Sequence, residues 1–253
     1  MIITRLYQAV DLVLGEEIVL DLDASHRLLH VLRGKKGDQL QLFNGQANQG
    51  VWGDFVGEIT QLSKKKVGVR LHDFVPRDVE SPLAIHLAQA IPKGEKMDFI
   101  VQKAVELGVK KITPLITARC NVRLNQERMQ HRMAHWQSVL IHACEQSGRN
   151  VVPALSMPQP LLRWVGSELP KQRYVLNPQA AEKQVLPEMS IRRDTQVVVL
   201  IGPEGGLTSL EVDLAIQQGF ISLTLGPRIL RAETASLAAL AIFQYIQGDM
   251  RAC

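Results

Sequence analysis

From Leu83 onward, short apolar runs alternate with stretches of helical spacing, and this alternation constrains the fold of the 253-residue chain more than any other feature. Leu83–Ala90 is apolar and of strand length. Glu95–Leu107 places Met97, Ile100, Val101, Ala104 and Val105 on one helical stripe, and Gly108 stands where a helix C-terminus wants a residue at positive φ. Lys111–Ile116 reads as a strand, Gln126–Gln146 as a long helix and Tyr174–Leu176 as a brief strand. Gln196–Ile201 is a fully buried strand. Ser209–Gln218 is a helix ended by Gly219, Leu223–Leu225 a strand, and Thr234–Ile246 a closing helix. Strand and helix in turn predict an α/β domain whose parallel sheet is covered on both faces.

Residues 1–72 read differently. Glu16–Leu20 is a strand, Asp23 caps a short helix through Leu28, Leu29 and Leu32, and Asp38–Phe43 alternates until the Asn44-Gly45 turn. Strand-like runs follow at Val51–Ile59 and Val67–Leu71. Short strands joined by tight turns suggest a small barrel. Residues 73–82, polar and holding two prolines, read as a linker, which leaves 83–253 as the second domain.

The net charge of +4 permits a nucleic-acid partner without requiring one. The N-terminus lacks a basic cluster followed by an apolar core, and the longest apolar stretch, Ala235–Ile246, falls short of the roughly 20 residues that span a bilayer. The expectation is a cytoplasmic protein without membrane contact. Cys120, Cys144 and Cys253 form no paired motif with one another or with histidine, so reduced thiols and no metal are expected.

Three places can carry chemistry. Gly202-Pro203-Glu204-Gly205-Gly206-Leu207 directly follows the strand ending at Ile201, and ligands of α/β proteins sit beyond the carboxyl ends of strands. Glycines there admit positive φ and close approach to main-chain groups. The plain alternative is a strand-to-helix turn capped by Thr208 or Ser209. The spacing is neither a dinucleotide fingerprint nor a phosphate-binding loop ending in Lys-Ser/Thr. The second place is Leu225-Gly226-Pro227-Arg228-Ile229-Leu230-Arg231-Ala232-Glu233-Thr234, again between strand and helix, with Glu233 and Thr234 placed to meet free N–H groups. The third is Lys93–Asp98 with Gln102–Gly108. There Lys96 and Lys103 share a helix face that reads, by itself, as solvated. In the first domain, Arg33, Lys35 and Lys36, and then Lys64, Lys65 and Lys66, suit phosphate contacts and equally suit ordinary turns.

Taken in order, EKMD, QKAVELGV, ITPL, ACEQSGR, IGPEGGL and LGPRILRAETA, with HRLLHVLRGKKGDQLQLFNG near the start, resemble the RsmE family of 16S rRNA uridine-N3 methyltransferases over essentially the whole chain. The resemblance implies a SPOUT-class α/β sheet with a C-terminal trefoil knot, a PUA-like β-barrel at the N-terminus, a homodimer, and S-adenosyl-L-methionine as cofactor. Carried over by motif, the cofactor would meet Leu176 and Asn177, then Ile201 through Gly206, then Leu225, Gly226, Leu230, Arg231 and Thr234. The substrate would be 16S rRNA of the small ribosomal subunit, held in part by the two basic groups. Arg5, in Arg5-Leu6-Tyr7, is either a further RNA contact or a mobile terminal residue.

Uridine N3 is a poor nucleophile until it loses its proton, and a cation within about 4–6 Å favours the anion. Arg231 is the candidate for that role, and Glu233 either orients Arg231 or accepts the proton. Glu204 is a candidate to favour the positive sulfonium. Ribose methyltransferases of the same class carry a late Ser-Leu-Asn-Val stretch. Here Glu233-Thr234-Ala235-Ser236-Leu237 lacks that asparagine, which favours the base over the ribose. A non-catalytic RNA-binding factor is the alternative from a different class.

Overall fold

A computed structural model gives the structure of residues 2–120, 126–179 and 195–251; Cys253 lies outside the described residues. The chain divides into two compact units, Met1–Glu80 with Cys144–Val152, and Ser81–Ala143 with Pro153–Cys253.

The first unit is built on a five-stranded mixed sheet. In chain order its elements are β1 (Ile2–Tyr7), β2 (Glu17–Val19), α1 (Leu22–His26) with a π-helical turn (Arg27–Val31), β3 (Gln39–Phe43), β4 (Gly53–Leu62) and β5 (Val67–Pro76). The sheet order is β1-β3-β4-β5-β2, with β1 parallel to β3 and the other pairs antiparallel. Leu6, Leu28, Leu40, Leu42, Ile59, Val67, Val69 and Leu71 fill its core. Two details differ from expectation. Asp21, not Asp23, caps α1, accepting from Ala24 N at 2.8 Å. β1 was not legible as a strand at all.

The expected 1–72, 73–82 and 83–253 division also shifts. β5 runs on through Asp73–Pro76, and its pairing with β4 reaches Gly53↔Pro76. The polar character of that stretch reflects the exposed end of a strand, not a linker. The first unit then recovers nine residues from far along the chain, Cys144–Val152.

Arg5 is the reason that segment belongs there. Its guanidinium pairs with Asp54 at 2.8 Å, and it donates to the carbonyls of Cys144 at 2.8 Å and Arg149 at 3.0 Å. The cation also lies 3.8 Å from the centre of the Phe43 ring. Asn150 Nδ2 donates to Gly53 O and Asp54 Oδ1, and Arg149 pairs with Glu80 at 2.6 Å. Arg5 is 9% exposed. Its expected RNA contact is therefore corrected to a structural role, because a buried guanidinium with its donors engaged has none left for phosphate. Burial pushes the neighbouring Cys144 thiol up to about 12, so it stays protonated and inert.

The second unit carries a seven-stranded sheet in the order β12-β10-β11-β6-β7-β8, with β9 also on β7. These strands are β6 (Ala84–Ala90), β7 (Lys111–Ile116), β8 (Ala154–Leu155), β9 (Gln159–Pro160), β10 (Gln172–Leu176), β11 (Gln196–Ile201) and β12 (Ile221–Leu223). Every pairing is parallel. The helices are α2 (Lys96–Glu106), α3 (Gln126–Ser147), α4 (Leu161–Val165), α5 (Ser209–Gln217) and α6 (Ala232–Gln247). α2 buries Met97, Ile100, Val101, Ala104 and Val105, the stripe its spacing dictates. It packs on α6, whose buried face includes Ala239, Leu240 and Phe243. Gln244 of α6 fastens the contact, accepting from Ser81 Oγ at 2.7 Å and donating to Leu107 O at 2.9 Å. Gly108 has φ +76°, and a Cβ there would lie 2.6 Å from Gln244 Nε2, so both its conformation and its smallness are used.

Candidate functional site

Strands β12, β10 and β11 are neighbours in the sheet, so the three segments that leave their carboxyl ends leave side by side. They enclose one cavity of about 370 Å³. The first segment begins at Leu176 and Asn177; Asn177 N donates to Leu223 O at 2.9 Å and Thr224 Oγ1 donates to Asn177 O at 3.1 Å, which ties it to the third. The second runs from Ile201 through Gly202, Pro203, Glu204, Gly205 and Gly206 to Leu207. The third supplies Leu225 and Leu230 together with Arg228 and Ile229. Backbone polar groups at glycine turns beside leucine walls give a mixed surface of the kind that takes a small organic ligand.

Glycine serves two separate purposes in the second segment. Gly206 has φ +70°, which a β-branched residue resists. Gly202 is outside that region, contrary to expectation; instead, a Cβ on it would lie 3.0 Å from Leu207 N and 3.1 Å from Gly206 C. Its smallness lets the turn fold back on itself. Thr208 caps α5 in a reciprocal box with Glu211, and Glu211 Oε1 also accepts from Ala118 N at 2.8 Å. Arg119 donates to Gly205 O at 2.5 Å and lines the cavity. The loop after β7 thus pins the glycine segment from outside.

Glu204 is held by the start of α2 and the turn before it. Lys93 N donates to both of its carboxylate oxygens at 3.1 and 3.2 Å, and Lys96 Nζ stands 3.0 Å from Oε1. Partial burial pushes the Glu204 carboxyl up, but a hydrogen bond from its own backbone, those from Lys96 and Lys93, and the lysine charge outweigh it and hold the group below its ordinary range. Lys96 also lies 3.5 Å from Glu233 Oε2, and the hydrogen bond with Glu204 is the main cause of its raised pKa.

Ten of the expected cofactor contacts therefore converge: Leu176, Asn177, Ile201, Gly202, Pro203, Glu204, Gly205, Gly206, Leu225 and Leu230. Gly226, Arg231 and Thr234 do not line the cavity. Gly226 shapes the turn at φ +75°. Arg231 is exposed at the N-cap of α6, between Leu230 and Ala232, which both line the cavity. Glu233 and Thr234 do not cap α6, since the cap is Arg231 and it makes no side-chain cap bond. Nor does Glu233 orient Arg231, because it turns to Lys96. Sequence reasoning missed Arg119, and it read Lys96 as solvated. Shared face with Lys103 was the wrong signal, for Lys103 pairs with Glu106 on its own helix.

In the first unit Arg33, Lys35, Lys36, Lys64, Lys65 and Lys66 are all exposed. β3 begins opposite the later part of β4, with Gln39↔Glu58, so the turn before β3 and the turn between β4 and β5 lie at the same end of the sheet. The two basic groups share that end. Among the described residues no His, Cys, Asp and Glu cluster is placed to hold a metal, and no helix is long and apolar enough to cross a membrane.

Residues 79–244 match the RNA methyltransferase domain family. Over 250 residues the chain is 37% identical to ribosomal RNA small subunit methyltransferase E of Buchnera aphidicola from Schizaphis graminum, covering 98% of each. It is 30% identical to the Bacillus subtilis protein of that name, covering 93% of this chain and 91% of the other. Among solved structures, a methyltransferase of Legionella pneumophila in complex with bound SAM superposes with a TM-score of 0.91 at 40% identity, over 99% and 100% of the two chains. Ribosomal RNA small subunit methyltransferase E of Neisseria gonorrhoeae, bound to S-adenosyl methionine, gives 0.87 at 35%, over 98% and 99%. Likeness of this extent runs through nearly the whole chain, and it makes the chain a member of the ribosomal RNA small subunit methyltransferase E (RsmE) family.

Proposed function

We propose that this protein transfers a methyl group from S-adenosyl-L-methionine to N3 of one uridine in 16S rRNA of the small ribosomal subunit. The observation that carries the reading is the convergence of three adjacent strand-end segments on a single cavity lined by Leu176, Gly202 and Leu225. The cavity suits the cofactor: its volume falls within the range of small-molecule sites, roughly 300–1,000 Å³. At Gly202, moreover, a Cβ would press on the segment's own backbone at Leu207 N and Gly206 C, so the shape of this wall depends on glycine. When bound, the cofactor supplies an electrophilic methyl group on a sulfonium.

The protein's own residues do the rest. The glycine segment offers main-chain groups to an adenine edge, and Leu225 and Leu230 provide its apolar walls. Arg231 serves the RNA side in this proposal, because it is solvent-facing while both chain neighbours line the cavity. Its fixed positive charge favours the N3 anion and offsets charge gathering on the uracil oxygens. Glu233 acts as proton acceptor through the carboxylate oxygen that does not face Lys96, which a Glu233→Gln variant tests through the pH profile of the single-turnover rate. Glu204, engaged by Lys96 and Lys93, presents a carboxylate that stays ionised beside a sulfonium. The basic end of the first unit holds RNA phosphates. A PUA-type barrel, a C-terminal trefoil knot and a homodimer with the cofactor near the partner subunit belong to the same proposal.

The test is to incubate the protein with S-adenosylmethionine and either 30S particles or naked 16S rRNA, then digest the RNA and identify the product by mass spectrometry. The expected product is 3-methyluridine. A 2′-O-methyl nucleoside, or cofactor binding with no methylated RNA, refutes the reading.

A further inference from the structure

Lys96 opens α2, yet both of its ion-pair partners lie on other elements. Glu204 sits 108 residues on, in the glycine segment after β11. Glu233 sits in the first turn of α6, next to the cavity-lining Ala232. One ammonium therefore joins the two loops that the cavity needs together. Backbone adds to the grip, since Lys93 N also donates to Glu204. Without the cation, two carboxylates would face each other at close range, and like charges at such distances repel by amounts comparable to a loop's conformational preferences. Glu233 Oε2 is buried and has no hydrogen bond, so the Lys96 ammonium, beside the positive N-terminal end of α6, is what offsets its charge.

We propose that Lys96 is a positioning residue that locks the glycine segment after β11 to the start of α6, so that the cavity is assembled before a ligand enters. Lys103, on the same helix face, shows what an ordinary surface lysine does here: it pairs with Glu106 one turn away and links nothing distant. The ligand-binding consequence rests on the assignment of the cavity to S-adenosylmethionine, but the locking itself does not.

Amide hydrogen exchange on the full chain, without ligand, tests the lock. The reporters are Gly206 N, bonded to Pro203 O at 2.8 Å, and Ala235 N, bonded to Arg231 O at 2.8 Å. In Lys96→Met both amides exchange about fivefold faster, the size expected for partly exposed ion pairs, while the urea midpoint stays within error. Lys96→Arg keeps the charge and restores the wild-type rates. In a Glu204→Gln background Lys96→Met adds little at Gly206, because that link is already cut. Calorimetry then shows S-adenosylmethionine bound about fivefold more weakly by Lys96→Met. Wild-type exchange at both reporters in Lys96→Met overturns the proposal, as does faster exchange confined to α2. Should the wild-type protein bind no S-adenosylmethionine, the functional reading falls and the exchange rates still judge the lock.

Discussion

Two charged clusters organise this molecule, and they differ in what surrounds them. Arg5 and Asp54 are almost wholly enclosed, with side chains 8% and 1% exposed, and carbonyls, an asparagine and an aromatic ring take up the remaining contacts. Lys96, Glu204 and Glu233 stand beside a cavity at 36%, 27% and 17%, with two carboxylates sharing one ammonium. In the enclosed cluster the cation and the carboxylate balance each other within the unit. The open one carries surplus negative charge next to a space. Enclosure marks charge used for architecture, and an unbalanced charge beside a cavity marks charge available for chemistry.

The sharpest way to break the comparison is Arg5→Ala. It leaves Asp54 buried without its cation, and removing one partner of a buried pair costs about 3–5 kcal/mol. Urea unfolding should show that loss, and RNA affinity per folded molecule should be unchanged. A stable variant with weakened RNA binding would put Arg5 back among the substrate contacts. Next in size is Gly202→Val, on the cavity side. Overpacking costs about 1–3 kcal/mol; the loop relieves it by shifting the cavity wall, and a binding loss of that size weakens S-adenosylmethionine by roughly 5- to 150-fold. Equilibrium dialysis measures it, and unaltered affinity would remove the glycine segment from the site. By contrast, Arg231→Ala should cut the single-turnover rate and spare cofactor affinity, since Arg231 does not line the cavity.

His86 extends the comparison to a buried group that has no ion-pair partner among the described residues. It lies on β6, accepting or donating to Thr113 Oγ1 at 2.8 Å, with its ring edge-on to Trp164. Burial, aided by the Lys111 charge, lowers its pKa to about 4. The unfolded chain binds the proton near 6.5, so stability is full above that pH and falls as pH drops toward 4. From pH 7 to pH 5 the loss is about 2 kcal/mol at 1.36 kcal/mol per unit. His86→Gln should flatten that slope; an unchanged slope would assign the acid sensitivity elsewhere. The smallest effect belongs to the exposed basic end of the first unit. Replacing one of Lys64, Lys65 or Lys66 by alanine should lower the salt dependence of RNA binding by about 0.7–0.9 in log–log slope per lost phosphate contact.

What could be read from sequence follows the same division. Gln196–Ile201 and Lys111–Ile116 were legible to the residue, because an apolar run between polar neighbours fixes a buried strand locally. The ends of α2 and α5 were legible because Gly108 and Gly219 take φ +76° and +83°. The cavity's glycine segments were legible for similar local reasons, and the family resemblance joined them. β1 was hidden because its arginine looks solvent-seeking, and only a carboxylate 49 residues away with carbonyls 139 and 144 residues away make burial tolerable. Lys96 was misread because periodicity compares a residue with its own helix, while its partners arrive through the sheet. Charges matched at long range leave no local trace in sequence.

The return of Cys144–Val152 to the first unit carries a consequence for synthesis. A nascent chain that has emerged only as far as Glu80 lacks the carbonyls of Cys144 and Arg149 that receive Arg5, and Glu80 itself awaits Arg149. The N-terminal unit must stay unfinished until residue 152 has cleared the exit tunnel, by which time the strands of the second unit through β7 are already outside. Birth order along the chain and completion order in the fold are thereby uncoupled.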